Sequence, residues 1–357
     1  MKLLSSFLLL SLFASGAVFA QTDLQTVATV SLTKTESITG KQLRLDIEAA
    51  EKTQGGRALT DEEKRQVLDM KINEILVLQA AERDKIGVTT NEINLQMQQL
   101  RNQLAQSIGR QPTEAEFTQA LRNQTGMDRA GLEDQFRRQL ILQKYIQAKK
   151  QNVLDSAKPP TDTEVASYYN LNKAKLVRPE TVRFSMIQVP FGTTPAEKSK
   201  ARETADRLAR EIGTNPSKFD EVVQKSFAPN AGYQGGDAGY LPRSQQAQAA
   251  VGQELLNTAF TLKQGEVSRL VESPQGYHIL KITETYEQKN LGLDDIYQLG
   301  TRVTVQNYIR QGLADENALM AIKQATDEIV ADLRGPNNRP TFSYRKENIP
   351  WWKSTWK

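Results

Sequence analysis

The spacing of apolar residues changes along the chain, and each change predicts a different element. Leu3 to Phe13 is an apolar run broken only by serines, preceded by Lys2 and followed by Ala14-Ser15-Gly16-Ala17-Val18-Phe19-Ala20. Small residues at Val18 and Ala20 complete the pattern of a secretory leader. A retained membrane helix is the competing reading, but the run is shorter than the ~18 apolar residues that a span needs. Cleavage near Ala20 is therefore expected, with the mature chain starting at Gln21 and no cysteine there to carry a lipid anchor.

Val27 to Leu32 reads as a short strand. Beyond it the period lengthens to that of helices. The pairs Thr60/Glu63, Thr89/Glu92, Thr113/Glu116 and Thr161/Glu164 have the Thr-x-x-Glu spacing of a capping box. In such a box the hydroxyl and the carboxylate satisfy N–H groups that the first helical turn leaves unpaired. After Thr60, Val67, Leu68, Ile72, Ile75, Leu76 and Leu78 make a broad apolar face. After Thr89 the stripe is narrower, Ile93, Met97, Leu100 and Leu104 among many Gln and Asn. A short helix follows Thr113 and ends near Gly126, and a longer one runs from about Arg129 to Lys150 with Leu132, Phe136, Leu140, Ile141 and Tyr145 inward. Such stripes read as core, though Met97 also admits an adaptable apolar groove.

Pro159-Pro160 marks a boundary, and a short helix with Tyr168 and Tyr169 leads to Pro179. Val182 to Val189 predicts a strand, closed by Pro190 and Gly192. Residues 195–212 predict an amphipathic helix with Ala201, Ala205, Leu208 and Ile212 on one side. Phe219 to Lys225 adds a turn or two, then comes a loop rich in Gly, Asn and Pro. A helix at roughly 252–262 and strands at Val267–Val271 and Tyr277–Thr283 follow. From about Leu293 to Arg334 the pattern is helical again, ended by Gly335-Pro336, and Thr341 to Tyr344 reads as a second edge strand.

Composition removes several classes of chemistry. The chain has no cysteine, which excludes disulfides and cysteine-held metals, and its one histidine excludes a histidine-rich metal site. No Gly-x-Ser-x-Gly hydrolase elbow and no ATP site is present, and no cofactor or metal is expected. The 46 basic and 42 acidic residues leave a mild positive charge that does not indicate nucleic acid. The excess gathers at the end, where Arg339, Arg345, Lys346, Lys353 and Lys357 accompany Trp351, Trp352 and Trp356. Basic residues with interfacial aromatics suit a membrane surface. The plainer reading has Trp351 and Trp352 covering the N-terminal core or lying disordered.

The segment 181–284 carries a series of motifs in a recognisable order: the strand Val182–Val189, the helix 195–212, Phe219-Asp220-Glu221-Val222-Val223-Gln224-Lys225-Ser226, Gly235-Gly236-Asp237-Ala238-Gly239-Tyr240, Lys263-Gln264-Gly265-Glu266-Val267-Ser268 and Gln275-Gly276-Tyr277-His278-Ile279-Leu280. Taken together they resemble the parvulin family of peptidyl-prolyl isomerases. The frame around them is similar to SurA-like periplasmic chaperones and to the foldase PrsA. The resemblance implies an α+β fold with a small, four-stranded, mainly antiparallel parvulin sheet and flanking helices, inserted in a mostly helical N- and C-terminal chaperone module. The expected division is a leader at 1–20, an N-terminal helical chaperone domain at 21–160, a linker helix at 161–180 and a parvulin-type domain at 181–285. A C-terminal helix at 286–335 would pack on the N-terminal domain, with its last strand pairing near Val27–Leu32, followed by a basic, Trp-rich tail at 336–357.

The resemblance also places a site. His278 falls where active parvulins keep one of two histidines beneath a proline pocket, and it is the candidate catalytic residue. Met186 stands where the other histidine would be, and Pro229 where a Cys or Asp rims the pocket. Val251 and Leu255 fall on the wall positions usually held by Met and Phe, and Phe260 matches the family. Gly235, Gly236 and Gly239 suit a crossing that needs positive φ or close backbone approach, with Asp237 bonding its own turn. Two polar positions are thus replaced. The expectation is a peptide-binding parvulin scaffold with weak or absent isomerase activity, in an exported, periplasmic chaperone of unfolded proteins, outer-membrane precursors among them. An active isomerase, and a basic protein of a membrane surface, are the competing readings.

Overall fold

The computed structural model describes residues 24–353, so the leader reading and Trp356 lie outside the described residues. In chain order the elements are β1 (Thr26–Ser31), β2 (Thr35–Thr39), α1 (Gly40–Thr53), α2 (Asp61–Arg83), α3 (Thr90–Ile108), α4 (Glu114–Thr125), α5 (Arg129–Leu154) and α6 (Asp162–Asn172). There follow β3 (Val177–Arg178), β4 (Thr181–Pro190), α7 (Pro195–Ile212), α8 (Pro216–Lys225), β5 (Gln234–Pro242), α9 (Gln245–Val251) and α10 (Gln253–Thr261). The rest are β6 (Val271–Ser273), β7 (Gly276–Tyr286), β8 (Lys289–Asn290), α11 (Val305–Arg334) and β9 (Thr341–Tyr344). The fold is α+β, and the chain divides into two compact units, one up to Lys158 and from Ala314 onward, the other Pro159–Leu313.

In the first unit, β1 is the middle strand of a small sheet ordered β2-β1-β9. Strand β9 returns antiparallel to β1, with Val30 opposite Phe342 and Thr29 opposite Ser343. Val27, Val30 and Ile38 of this sheet are buried with Leu68, Ile72 and Leu76 of α2 and with Ile329 and Leu333 of α11. Trp351 and Trp352 pack against the same core, and the cations of Arg65 and Lys346 lie 5.8 and 5.4 Å from the Trp352 ring. The two indoles therefore cover the core. Gln79, 1% exposed, accepts hydrogen bonds from the backbone N–H groups of Leu32 and Thr33 at 2.8 and 3.1 Å and donates to Glu36. It pins the β1–β2 hairpin to α2.

All four Thr-x-x-Glu pairs form complete capping boxes. At α2 the Arg57 guanidinium, bonded to Glu63 and helped by the Thr60 cap, holds that carboxyl down at about 2. Thr60→Ala removes the cap, and is expected to lower the first unit's stability by about 1 kcal/mol; a urea midpoint unchanged from wild type would show the box to be energetically idle. Met97 is 4% exposed and packs with Phe117, Leu121 and Leu132. Met97 is therefore part of a core that α4 and the start of α5 complete with large apolar side chains.

The second unit is built on an antiparallel sheet ordered β5-β4-β7-β6. Ile187, Val189, Tyr277 and Ile279 face one way, onto Ala201, Ala205 and Leu208 of α7 and Phe219 and Val222 of α8. Val182, Phe184, Leu280 and Ile282 face the other way, onto Leu255, Leu256 and Ala259 of α10. The alternation follows from the period of two along each strand. A third cluster joins Val165 of α6 to Leu176, Leu291, Val305 and Ile309.

Several elements differ from the sequence pattern, among them β2, in a stretch that reads as helical, and the short β3, β8 and α9, which the pattern does not mark. The Gly-rich loop supplies the edge strand β5. The strand expected at Val267–Val271 is reduced to a single bridge, Val267 to Lys281, ahead of β6. The helix expected from Leu293 begins only at Val305. Before it the chain turns back on itself, with the Tyr297 N–H bonded to Val303 and the Val305 N–H bonded to Asp295. Gly300 there has φ +80, and a Cβ on it would lie 2.9 Å from the Tyr240 ring. A helical run of apolar residues thus reads as helix, while backbone bonds close it into a turn that sets Gly300 close to the Tyr240 ring.

Candidate parvulin site

Strands β4 and β7 position the site. His278 lies opposite Gln188 on β4 and Val271 on β6, and the alternation turns its ring to the α10 side of the sheet. It is 2% exposed. Its Nε2 is 2.6 Å from the Ser273 hydroxyl and its Nδ1 3.1 Å from the Met186 sulfur. A thioether only accepts, so the Nδ1 carries the proton, and Nε2 accepts from the Ser273 O–H. Ser273 in turn accepts from the Gln275 N–H at 3.0 Å. Both ring nitrogens are therefore engaged within the protein.

Met186, Val251, Leu255 and Phe260 gather on this same cluster, so the structure brings together four of the apolar positions named from sequence, with His278 touching Met186. Pro229 is exposed in the turn after α8 and is not among the residues packed there. Gly235, Gly236, Asp237 and Gly239 lie on β5. The Asp237 carboxylate accepts from the Gly239 N–H at 3.0 Å and pairs with Arg183 at 2.6 Å. Gly239, with φ +80, sits at the register shift opposite Phe184 and Ser185. A Cβ on Gly235 would meet the Val223 Cα of α8 at 3.2 Å, so this glycine permits close helix–strand approach. Sequence reasoning missed Ser273. The signal was the tight turn Ser273-Pro274-Gln275-Gly276, which sets the hydroxyl beside the ring five residues on.

Burial pushes the His278 pKa from 6.5 down to about 4, because a charged imidazolium is poorly solvated there. The ring is neutral at neutral pH. With the folded value below the unfolded one, the unfolded chain binds the extra proton between them, and stability falls as pH drops from 6.5 toward 4. As this is the chain's one histidine, it is the main group that titrates between pH 7 and pH 5. The expected loss of stability across that window is about 2 kcal/mol, read by urea denaturation and abolished in His278→Gln. An equal loss in the variant would assign the effect to carboxylates.

These elements define the class: a parvulin scaffold whose histidine is buried and neutral. Residues 160–298 match the PPIC-type PPIase domain, and residues 1–146 match the SurA-like N-terminal domain. The chain thus carries a PPIC-type, parvulin-like domain behind a SurA-like N-terminal domain. The chaperone SurA of Chromohalobacter salexigens is 26% identical over 76% of this chain and 56% of its own length. The foldase protein PrsA of Clostridium botulinum is 27% identical over 67% of this chain and 66% of its own. The chain thus spans little more than half the length of the SurA relative. A solved chain from the study of two SurA-like chaperones of Campylobacter jejuni, the virulence factor PEB4 and the periplasmic protein Cj1289, is 14% identical over 90% of this chain and 99% of that one, with a TM-score of 0.39.

Proposed function

We propose that this protein is an exported, periplasmic chaperone that binds unfolded polypeptides, outer-membrane precursors among them, and whose parvulin domain holds peptides while isomerising proline bonds weakly or not at all. Residues 21–160 with the C-terminal helix serve as the chaperone module, and 181–285 as the peptide-binding module. Prolyl isomerisation needs stabilisation of a twisted amide whose conjugation is lost, and polar groups must favour that state over the ground state. The observation that carries the reading is the contact between Met186 and His278. A thioether takes the place of a polar partner, and the one imidazole spends both nitrogens inside the protein. Met186, Val251, Leu255 and Phe260 leave an apolar surface suited to a proline ring.

The test uses residues 21–357 in two assays, cis/trans isomerisation of X-Pro peptides and suppression of aggregation of an unfolded outer-membrane-type client. Suppression without isomerisation is the expected result. Robust isomerisation lost in His278→Ala would establish the active-isomerase reading in its place, and absence of both activities would remove the chaperone reading.

A further inference from the structure

Most large apolar side chains of the second unit are buried, and those left exposed gather in one place. Tyr168 and Leu171 stand one turn apart on α6, Val303 lies in the turn before α11, and Tyr308 is in the first turn of α11. Of this unit's exposed large apolar side chains, only Phe227 lies elsewhere. Tyr297 ties the group together. Its ring stacks on that of Tyr308, with centroids 3.7 Å apart and planes 15° from parallel, and its N–H is bonded to the Val303 carbonyl at 2.8 Å. Its hydroxyl is pushed up to about 12, first by Tyr308 beside it, then by burial and by Tyr168, so the three phenols lie close together. Val165, Leu291, Val305 and Ile309 form the buried base of this region. Leu171 is 85% exposed and projects from it. The same segments carry charge of one sign. Lys173 and Lys175 follow Leu171, and Arg302 precedes Val303. All three are exposed, and none has a charged partner among the described residues. Of the carboxylates on these segments, Asp162 is paired with Arg310, Asp295 with Lys289, and Glu164 is bonded into the α6 capping box. That leaves Asp294 against three open cations.

We propose that this face docks the second unit on an anionic phospholipid surface, with Leu171 and Val303 entering the boundary between headgroups and acyl chains and with Lys173, Lys175 and Arg302 against lipid phosphates. Buried apolar area and positive charge are the two contributions that together hold a protein at a bilayer. Tyrosine, with an apolar ring and a polar tip, suits the headgroup level between them. Charge complementarity selects this occupant. A purely apolar partner would leave the three cations unused, and a soluble anion would leave Leu171 and the stacked tyrosines in water.

The experiment is flotation of the full mature chain, residues 21–357, with vesicles of phosphatidylcholine alone or mixed with phosphatidylglycerol. The chain is expected to float with the mixed vesicles and not with phosphatidylcholine, and to be released as salt rises. Lys173→Gln/Lys175→Gln/Arg302→Gln is expected to weaken binding about 10²-fold, and Leu171→Ser about tenfold. Lys200, Arg210 and Lys263 are exposed cations of the same unit that also have no charged partner among the described residues. Lys200→Gln/Arg210→Gln/Lys263→Gln therefore removes the same charge from elsewhere, and is expected to bind as wild type does. All the altered side chains are exposed, and an unchanged urea midpoint shows that each variant is folded. Absence of flotation with the mixed vesicles overturns the proposal, as does flotation that survives both changes at this face. Equal loss in the two triple variants also overturns it, by assigning the binding to net charge. A Leu171→Ser chain that floats as wild type does, yet no longer protects an unfolded client from aggregation, would give the face to polypeptide and remove the bilayer.

Discussion

Met186→His is expected to raise prolyl isomerisation by about 10²-fold, the scale on which one preorganised polar contact acts in an active site. The Met186 sulfur already lies 3.1 Å from His278 Nδ1, so a histidine there would come within reach of the existing ring without moving a strand. It would present a second imidazole that can accept or donate, where the thioether can only accept. Met186→Leu is the control. It keeps the volume and the apolar character, and should leave the rate at the wild-type level. The measurement is kcat/KM on an X-Pro peptide, with peptide binding followed in parallel. A Met186→His protein that binds peptide as well as wild type yet isomerises no faster would show that the missing histidine is not what limits this scaffold.

Phe219→Ala is expected to cost about 3–5 kcal/mol, as for a fully buried aromatic whose space cannot close. Phe219 is 0% exposed at the centre of the cluster between the sheet and helices α7 and α8. Lys281, whose ammonium is 6.0 Å from the ring and which pairs with Asp220 at 2.6 Å, would lose one of its supports as well. Because the chain forms two compact units, the loss should be local. Amide exchange is expected to accelerate across α7, α8 and β4 while the helices of the first unit keep their protection. A cost below about 1 kcal/mol, or equal loss of protection in both units, would mean that the cluster is not the anchor of the second unit.

Much of the fold was legible because its signals are local. A capping box needs residues three apart, and all four pairs read from sequence form on the helices they were expected to start. Strand β4 and helix α7 are marked by period alone. The return of Thr341–Tyr344 to the first strand was legible as a β-rich run, while the partner was supplied by resemblance; the register, with Val30 opposite Phe342, came only with the coordinates. Edge strand β5 was hidden because glycine gives no side-chain alternation. The span from Leu293 to Thr304 reads as helix because a helical spacing of apolar residues does not record the backbone bonds that close a turn there.

The site divides in the same way. Sequence alone determined that His278 is the single histidine and that no cysteine or histidine cluster can hold a metal, while the resemblance set Met186 where the family keeps a histidine. It also determined the order of motifs that define the scaffold. Tertiary structure decided what those residues touch. It set Met186 and Ser273 on the two nitrogens of one ring, left Pro229 exposed in a turn, and laid Arg243 over Phe260. The physical reason is one of range. Residue identity and short spacing fix chemistry and local structure, whereas burial and hydrogen-bond partners depend on strands and helices far apart in the chain, which only the folded backbone brings together.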